Sequence, residues 1–385
     1  MARLGDVVTI QASSKQLCGE RFWLLNLDMV EQQTGTVIDY NYVLSENLNG
    51  SIVQFDSNVV LYSKLRPNLN KVVLPQMDGY ATSEMLPLKP DNKKLSREYL
   101  AEYLRSDAFV MWAVSKTAGA KMPRLGTKEL LNADIPLPSL EEQKHISQLF
   151  AQTNNLISLR KQQLAKLDEL VKARFVELFG EPITNPMGWE KVNISAVVGG
   201  KVSNGFFAKR DEYCDNGNVK VLGVANVVNR MYSNTEELPQ TNGTEADIQK
   251  YGVKYGDMLF CRSSLVAAGI GKASIVPKGV PSNVLFECHV IRLPLDLNKC
   301  VPEFMQVLST TDYFRNQVIS QSKTATMTTI GQDGILKTEI ILPPLELQKQ
   351  FLSFVEQTDK SKLAIQQSLY KLETLKKSLM QKYFG

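Results

Sequence analysis

The sequence has few of the residues from which catalytic and metal sites are usually built. Only two histidines, His145 and His289, occur among 385 residues, which is too few for a histidine-based triad or a metal cluster. His145 is expected at a helix start, and the apolar β run around His289 is typical of a core position. Five scattered cysteines form no C-x-x-C pair and indicate neither a disulfide framework nor a zinc site: Cys18, Cys214, Cys261, Cys288 and Cys300. We expect reduced, mostly structural thiols.

Long apolar runs are also missing. No stretch of 18 apolar residues could cross a bilayer, and the first residues lack the apolar segment of a signal peptide, so we expect a cytoplasmic protein without membrane contact. A content of 43% apolar and 22% charged residues is that of a globular chain able to bury cores. The net charge of +4 permits a polyanionic partner without requiring one.

What the sequence does contain is an internal duplication. Residues 95–180 align without a gap to residues 300–385, at a constant offset of 205, and each copy ends in Phe-Gly. Over the last 46 positions of each copy 17 residues are identical, where ordinary composition would give roughly 3. The period is far too long for a solenoid repeat, so the duplicated unit is a whole domain with its connector.

Each copy ends in a segment that favours one long helix. Proline is absent from residues 139–180 and 345–385, and apolar residues recur there at steps of three and four. One narrow stripe on so long a helix predicts an antiparallel coiled coil between the two, with the preceding domains at opposite ends. The alternative is two independent amphipathic helices, each packed on its own domain. The leucines assigned to the coiled coil or to partner docking are Leu164, Leu167, Leu170, Leu369, Leu372 and Leu375.

The region before each helix is typical of an α+β domain. Short β-rich runs, among them residues 58–65, 219–228 and 256–262, are separated by turn residues, and one helical stretch follows at 95–114 and again at 300–319. The predicted fold is therefore α+β, with two similar domains joined by two long helices in a pseudo-twofold internal repeat. The expected boundaries are 1–136 for the first domain, 137–180 for the central helix, 181–341 for the second domain and 342–385 for the distal helix.

Familiar catalytic motifs are incomplete. Asn185-Pro186-Met187-Gly188 lacks the aromatic residue of a base-holding methyltransferase loop, and a helix-terminating linker is the better interpretation. Gly269-Ile270-Gly271-Lys272 is followed by Ala273, where a phosphate-binding loop needs Ser or Thr. Pro90-Asp91-Asn92-Lys93 has no following carboxylate pair of the kind a metal-dependent nuclease needs. An enzyme is therefore the poorest of the possible functions.

Polar loops that could bind a polyanion remain. Lys and Arg suit phosphate contacts, and Arg, Asn and Gln can form bidentate contacts to base edges, although basic loops are often merely solvated. The candidate DNA-binding residues are Tyr62, Lys64, Arg66, Asn68, Asn70, Lys71, Lys116, Lys121, Arg124, Asn204, Lys209, Arg210, Arg262, Ser263, Ser264, Lys272, Lys323, Thr324, Thr326 and Thr328.

With these residues in place, the chain resembles the specificity subunit of type I restriction-modification systems over essentially its full length. The marks are LPSLEEQKHI (137–146), LPPLELQKQF (342–351), the closing Phe-Gly of each copy and the linker FGEPITNPMGWE (179–190). The order is also that of the family: target-recognition domain, central helix, second target-recognition domain and distal helix.

The resemblance implies a noncatalytic subunit whose two domains each read one half of a bipartite target on double-stranded DNA. It also implies that the helices set the spacer and dock two modification subunits, and that restriction subunits with motor and nuclease activity join the complex. S-adenosylmethionine, ATP and magnesium are then expected on the partner subunits, with no cofactor or metal bound by this chain. The competing hypothesis is a duplicated coiled-coil adaptor that bridges proteins without DNA, which the repeat and helices fit equally well.

Overall fold

The chain divides into two units, each of which contains part of both long helices. In this computed structural model, which describes residues 1–13, 17, 19–48, 50–119, 121–324 and 326–385, unit 1 comprises residues 1–162 and 366–385. Unit 2 comprises residues 163–365. The division falls inside the helices, so the expected four-part boundaries stay a prediction. Cys18 lies outside the described residues, and the other four cysteines are free thiols.

Unit 1 begins with short strands and three short helices. The strands are β1 (Ala2–Arg3), β2 (Val8–Ile10), β3 (Arg21–Leu25), β4 (Tyr42–Leu44), β5 (Ile52–Phe55), β6 (Val60–Ser63), β7 (Val72–Val73), β8 (Gly79–Thr82), β9 (Met85–Pro90), β10 (Thr117–Ala118), β11 (Arg124–Leu125) and β12 (Asp134–Ile135). The helices are α1 (Arg97–Arg105), α2 (Asp107–Ser115) and α3 (Thr127–Leu131), and the long helix α4 (Leu140–Phe179) follows.

Two four-stranded sheets form the body of unit 1. One has the order β2-β9-β6-β7 and is antiparallel throughout, and the other has the order β4-β3-β8-β5, with β3 and β8 parallel. Strand β6 is buried at all four positions because one face packs against α1 and α2 and the other against Trp23 and Phe55. A strand buried on both faces is a rigid support for the loop that follows it.

Unit 2 repeats this plan. Its strands are β13 (Lys191–Asn193), β14 (Ser203–Asn204), β15 (Val219–Leu222), β16 (Gln240–Thr241), β17 (Asp257–Cys261), β18 (Ser263–Ser264), β19 (Ala273–Ile275), β20 (Val284–Phe286), β21 (Val290–Pro294), β22 (Lys323–Thr324), β23 (Thr328–Thr329) and β24 (Glu339–Ile341). Its helices are α5 (Val224–Val227), α6 (Glu245–Tyr251), α7 (Pro302–Thr310), α8 (Asp312–Ser320), α9 (Gln332–Leu336) and the long α10 (Leu345–Phe384).

The main sheet of unit 2 has the order β14-β21-β17-β19 and is again antiparallel. This is the order of β2-β9-β6-β7 in unit 1, with β17 in the central place of β6. Both units also close with a two-stranded pair at the entry to the long helix, β1 with β12 and β13 with β24. The predicted α+β repeat is therefore confirmed in its topology as well as in its sequence.

The long helices run antiparallel within each unit. In unit 1 the ring of Phe150 stacks on Phe384 at 5.9 Å between centroids, and Lys161 pairs with Glu373 further along α4. In unit 2, Asp168 pairs with Lys362 at 2.7 Å. Residues with higher numbers in α4 therefore contact residues with lower numbers in α10. This order confirms the predicted antiparallel pairing and excludes two independent helices.

The predicted leucines divide between the helix–helix contact and the outer surface. Leu164, Leu167, Leu369 and Leu372 are half-buried, as residues of a two-helix contact should be. Leu170 and Leu375, which occupy equivalent positions in the repeat, are 48% and 49% exposed. Their side chains therefore lie largely on the outer surface of the helix pair, and their role in partner docking stays a prediction.

One buried glutamine in each copy ties the start of the long helix to its domain. The side-chain oxygen of Gln348 accepts a hydrogen bond from the backbone nitrogen of Val301 at 2.8 Å, and its amide donates to the carbonyl of Pro343 at 2.8 Å. Gln143 does the same with Ser96 and Pro138. Both side chains are fully buried, so the repeated E-x-Q-K segment is a structural signature.

Two sequence predictions need correction. Each predicted single helical stretch is broken in two, because Ser106 and Thr311 turn the backbone to β conformation and their hydroxyls cap the second helix. The predicted strand run 219–228 ends at Leu222, and the residues after Gly223 form the one-turn helix α5.

We expect Gln348→Met to destabilise unit 2 by about 3 kcal/mol, because buried backbone groups at Val301 and Pro343 would lose their partner. Hydrogen exchange of the amides of α7 measures this directly. The neighbouring change Lys349→Met, on an exposed residue of the same helix, should stay within about 0.5 kcal/mol. Equal protection in the two variants would contradict the role of the glutamine.

Candidate nucleic-acid interface

Three separate segments of unit 2 that were predicted to bind DNA form one small sheet. Strand β23 lies between β18 and β22, with Ser264 opposite Thr328 and Lys323 opposite Thr329. The hydroxyl oxygens of Thr324 and Thr328 are 3.0 Å apart. The sheet follows directly from the end of the buried strand β17, which holds it at a defined place on the unit.

Unit 1 brings its own predicted segments together in the same way. Strands β10 and β11 pair, and Leu65 bridges to Arg124 on the far side of β11. The backbone nitrogen of Leu125 donates to the carbonyl of Lys64 at 2.9 Å, and the equivalent bond in unit 2 joins Ile330 to Arg262 at 3.1 Å. Each unit therefore has a three-segment surface, at 64–65, 117–118 and 124–125 in unit 1 and at 263–264, 323–324 and 328–329 in unit 2.

Most of the predicted cations and amides near these surfaces have accessible side chains. Lys64 and Arg66 make no side-chain hydrogen bond or ion pair with any residue that the structure describes. Side chains that are exposed or half-buried are those of Lys64, Arg66, Asn68, Lys116, Lys121, Arg124, Arg262, Ser263, Ser264, Lys272, Lys323, Thr324 and Thr326. One guanidinium nitrogen of Arg262 donates a hydrogen bond to the carbonyl of Cys288 at 3.1 Å.

Three predicted residues are buried and are corrected to structural roles. Tyr62 is 3% exposed, packs edge-on against Phe109, and has its pKa raised by burial. Asn70 is 6% exposed and donates to the carbonyl of Arg105 at 3.0 Å. Thr328 is 2% exposed, on the inner face of its strand. None of these side chains reaches the surface.

Three predicted cations are held by neighbouring groups. Lys71 donates to the carbonyl of Leu27, and burial lowers its pKa despite the nearby carboxylate of Asp28. Lys272 donates to the side-chain oxygen of Asn229 at 2.7 Å.

The third, Arg124, forms a two-pronged contact with Glu84, with nitrogen to oxygen distances of 3.0 to 3.2 Å, which raises the pKa of the arginine. Each of these cations would have to give up a partner to bind phosphate.

The remaining three predictions lie outside the small sheet of unit 2. Asn204 is half-buried in β14, an edge strand of the main sheet. Lys209 and Arg210 begin a single 3-10 turn with both side chains exposed. Lys209 and Arg210 are therefore exposed cations of unit 2 that are not part of the three-segment surface.

Two residues near the surfaces were missed by sequence reasoning. Glu84 carries no local signal, because its pairing with Arg124 joins residues 40 positions apart. His289 was expected in the core, yet it is exposed, and its Nδ1 lies 3.2 Å from the hydroxyl of Ser263. The alternation between His289 and the buried Val290 was the signal that could have found it.

The described part of the chain shows two further properties. It contains no group of three or more His, Cys, Asp or Glu side chains that could hold a metal ion. Within the same described ranges, every helix is too short or too polar to cross a membrane.

Comparison with protein-family models identifies a family that matches both halves of the chain. The model described as the type I restriction modification DNA specificity domain matches residues 31–169 and again residues 186–374. The two matches together cover most of the chain and repeat once in each half.

The curated relatives are named as specificity subunits of type I restriction enzymes. The MjaVIII specificity subunit of a type I restriction enzyme from Methanocaldococcus jannaschii is 27% identical over 320 residues, covering 78% of this chain and 72% of the relative. The EcoKI specificity subunit from Escherichia coli K12 is 22% identical over 324 residues, covering 77% and 66%. The EcoDI subunit from Escherichia coli is 26% identical over 159 residues, and the match spans only 35% of its length.

Solved structures share the fold. The S subunit of a type I restriction-modification system from M. genitalium superposes with a TM-score of 0.60 at 10% identity, covering 100% of this chain and 95% of that one. A chain from a structure of type I R-M system assembly and conformational transition gives a TM-score of 0.57 at 18% identity, covering 100% and 96%. At these identities the likeness is one of fold alone.

We expect Arg66→Gln to weaken binding of the full chain to duplex DNA and to lower the slope of log K against log salt by about 1, because one positive charge is removed from the exposed loop of unit 1. Titration of a labelled duplex at several salt concentrations measures both. Lys93→Gln, which removes an exposed lysine in the turn after β9, is the matched control and should change neither. A salt slope equal in both variants would remove Arg66 from the interface.

Proposed function

The chain belongs to the family of type I restriction modification DNA specificity domains, and from that premise we propose that it is the DNA-recognition subunit of a type I restriction-modification complex. Each unit reads one half of a bipartite target on double-stranded DNA. The observation that carries the proposal is the three-segment surface, built twice on the same scaffold from loops of different composition. Two equivalent surfaces with unlike side chains suit two different half-sites.

The side chains of each surface divide naturally into two tasks. Lysines and hydroxyls, such as Lys64, Lys323 and Thr324, suit phosphate oxygens and position the unit on the duplex. Arginines such as Arg66 and Arg262 suit the paired acceptors of guanine in the major groove, where one bidentate contact discriminates by about 1–3 kcal/mol. The bases of each half-site are then set by only a few side chains at the loop tips.

Catalysis in this proposal is carried out by partner subunits. Two modification subunits bind S-adenosylmethionine and methylate adenine, and restriction subunits supply ATP- and magnesium-dependent translocation and cleavage. In each unit, exposed apolar side chains on the long helices are candidates for docking the modification subunits. Exposed apolar side chains on these helices are Leu156, Leu159, Leu170, Val176, Leu363, Tyr370 and Leu375. As a reader of chromosomal DNA, the chain would work in the cytoplasm.

The adaptor hypothesis is not favoured. A duplicated coiled-coil adaptor explains the helices and the repeat, but it gives no reason for two surfaces of cations and hydroxyls. The matched family is one of DNA specificity domains, which is the class that the resemblance predicts.

We expect Arg262→Ala to relax or abolish recognition of the second half-site and to leave the first unchanged, because Arg262 belongs to unit 2. Genome-wide mapping of adenine methylation, in cells that express the chain with its modification subunit, gives both half-sites at once. Arg66→Gln is the matched variant in unit 1 and should affect the first half-site only. Loss of both preferences from either change would refute independent reading.

A second experiment tests the helices as the element that sets the spacer. Seven residues, two helical turns, are inserted in α4 after Gln162 and again in α10 after Ile365, which keeps the apolar stripe in register. The added rise of about 10.5 Å should lengthen the preferred spacer by about 3 base pairs and leave the half-sites unchanged. Methylation mapping reads the result, and altered half-site bases with an unchanged spacer would reject this role.

A further inference from the structure

A loop at the tip of the small sheet of unit 2 exposes four consecutive apolar residues. Leu265 is 83% exposed and Val266 is 63% exposed, and Ala267 and Ala268 follow them at the surface. Scattered exposed apolar side chains are normal, but a continuous exposed run of this kind usually marks a binding site.

Hydrogen bonds hold this loop in one conformation. The hydroxyl of Ser264 accepts from the backbone nitrogen of Val266 at 3.3 Å, and the nitrogen of Gly269 donates to the carbonyl of Val266 at 3.0 Å. From helix α8, Arg315 donates to the carbonyls of Ala268 and Ile270 at 3.2 and 2.6 Å. The apolar side chains are therefore presented on a supported backbone, which lowers the entropy lost on binding.

The residues around the loop favour DNA over protein as its partner. Ser264 and Thr328 lie opposite each other on neighbouring strands. Leu265 follows Ser264 in the chain, and the exposed Met327 precedes Thr328. Lys323 and Thr324 are exposed on the next strand. An apolar tip bordered by a lysine and hydroxyls fits a base edge flanked by phosphates better than it fits an apolar protein surface.

Unit 1 has a polar tip in the equivalent loop. Both loops leave a central strand of the main sheet and return to its neighbour, with Ser63 bonded to Lys71 in unit 1 and Cys261 bonded to Lys272 in unit 2. Each carries a single 3-10 turn, Pro67–Leu69 or Ala267–Gly269. The exposed side chains of the unit 1 loop are Arg66 and Asn68, which form hydrogen bonds where Leu265 and Val266 cannot.

We propose that Leu265 and Val266 contact the 5-methyl groups of thymine in the major groove of the second half-site, an inference that rests on the DNA-recognition function proposed above. The thymine methyl is the one apolar group that a standard base pair presents in that groove. An apolar side chain gains by covering it and loses nothing to unpaired polar groups. Unit 1, with Arg66 at the same place, reads its half-site through hydrogen bonds instead.

The test uses the complex of this chain with its modification subunits and a duplex carrying the motif found by methylation mapping. Each thymine in turn is replaced by deoxyuridine, which removes only the methyl group. We expect at least one replacement in the second half-site to weaken binding about fourfold, the effect of one buried methyl, and none in the first half-site to do so.

The double variant Leu265→Ser, Val266→Ser should bind thymine and deoxyuridine duplexes equally. Leu297→Ser removes another exposed leucine of unit 2, 46% exposed and away from the loop, and should keep the fourfold difference. This coupling between a methyl group and two side chains is a result that a purely structural role of the loop would not produce.

Three outcomes would overturn the inference while leaving DNA recognition intact. They are a second half-site without thymine, wild-type binding insensitive to every deoxyuridine replacement, and a double variant that keeps the methyl sensitivity but loses the modification subunits. The last would make the loop a protein-docking site. Failure of the wild-type complex to select any bipartite motif would instead refute the proposed function itself.

Discussion

The burial of one phenylalanine at the end of each long helix is the constraint on which both units depend. Phe179 closes α4 and lies in unit 2, 4.8 Å from the ring of Phe304 and 5.6 Å from that of Phe351. Phe384 closes α10 and lies in unit 1, against Tyr99 at 5.2 Å. Each core is therefore completed by the helix end of the other repeat, and the antiparallel pairing follows from that exchange.

This exchange explains why the strongest sequence identity lies in the helices. The closing phenylalanine must enter a core that another part of the chain builds, and the buried glutamine must satisfy backbone groups in its own domain. Both requirements tolerate few substitutions. Replacing a buried phenylalanine by alanine, for example, lowers the free energy of unfolding by about 3–5 kcal/mol. The loops at the ends of β6 and β17 bear no such requirement, because their tips point into solvent.

Features set by local chemistry or by repetition could be predicted from the sequence, and features set by distant partners could not. The repeat, the two proline-free helices and the β-rich domains were visible in spacing and composition. The burial of Tyr62 and Asn70 was not visible, because α2 and Arg105 approach them only in the folded unit. The breaks at Ser106 and Thr311 did have a signal, a Ser-Asp or Thr-Asp pair that is typical of a helix start.

The candidate site was predictable as segments and not as contacts. Composition indicated the cations and amides of residues 62–71 as candidates for DNA binding. It did not indicate Leu265 and Val266, because apolar residues in a turn resemble part of a strand until their exposure is known. The distinction between the two loops has a physical logic. Exposed tips contribute little to folding, so their side chains can change within about 0.5 kcal/mol of stability while the energy of base discrimination changes by several times that amount. A scaffold held by buried phenylalanine and glutamine can therefore keep its geometry while each tip acquires its own chemistry, one polar around Arg66 and one apolar around Leu265.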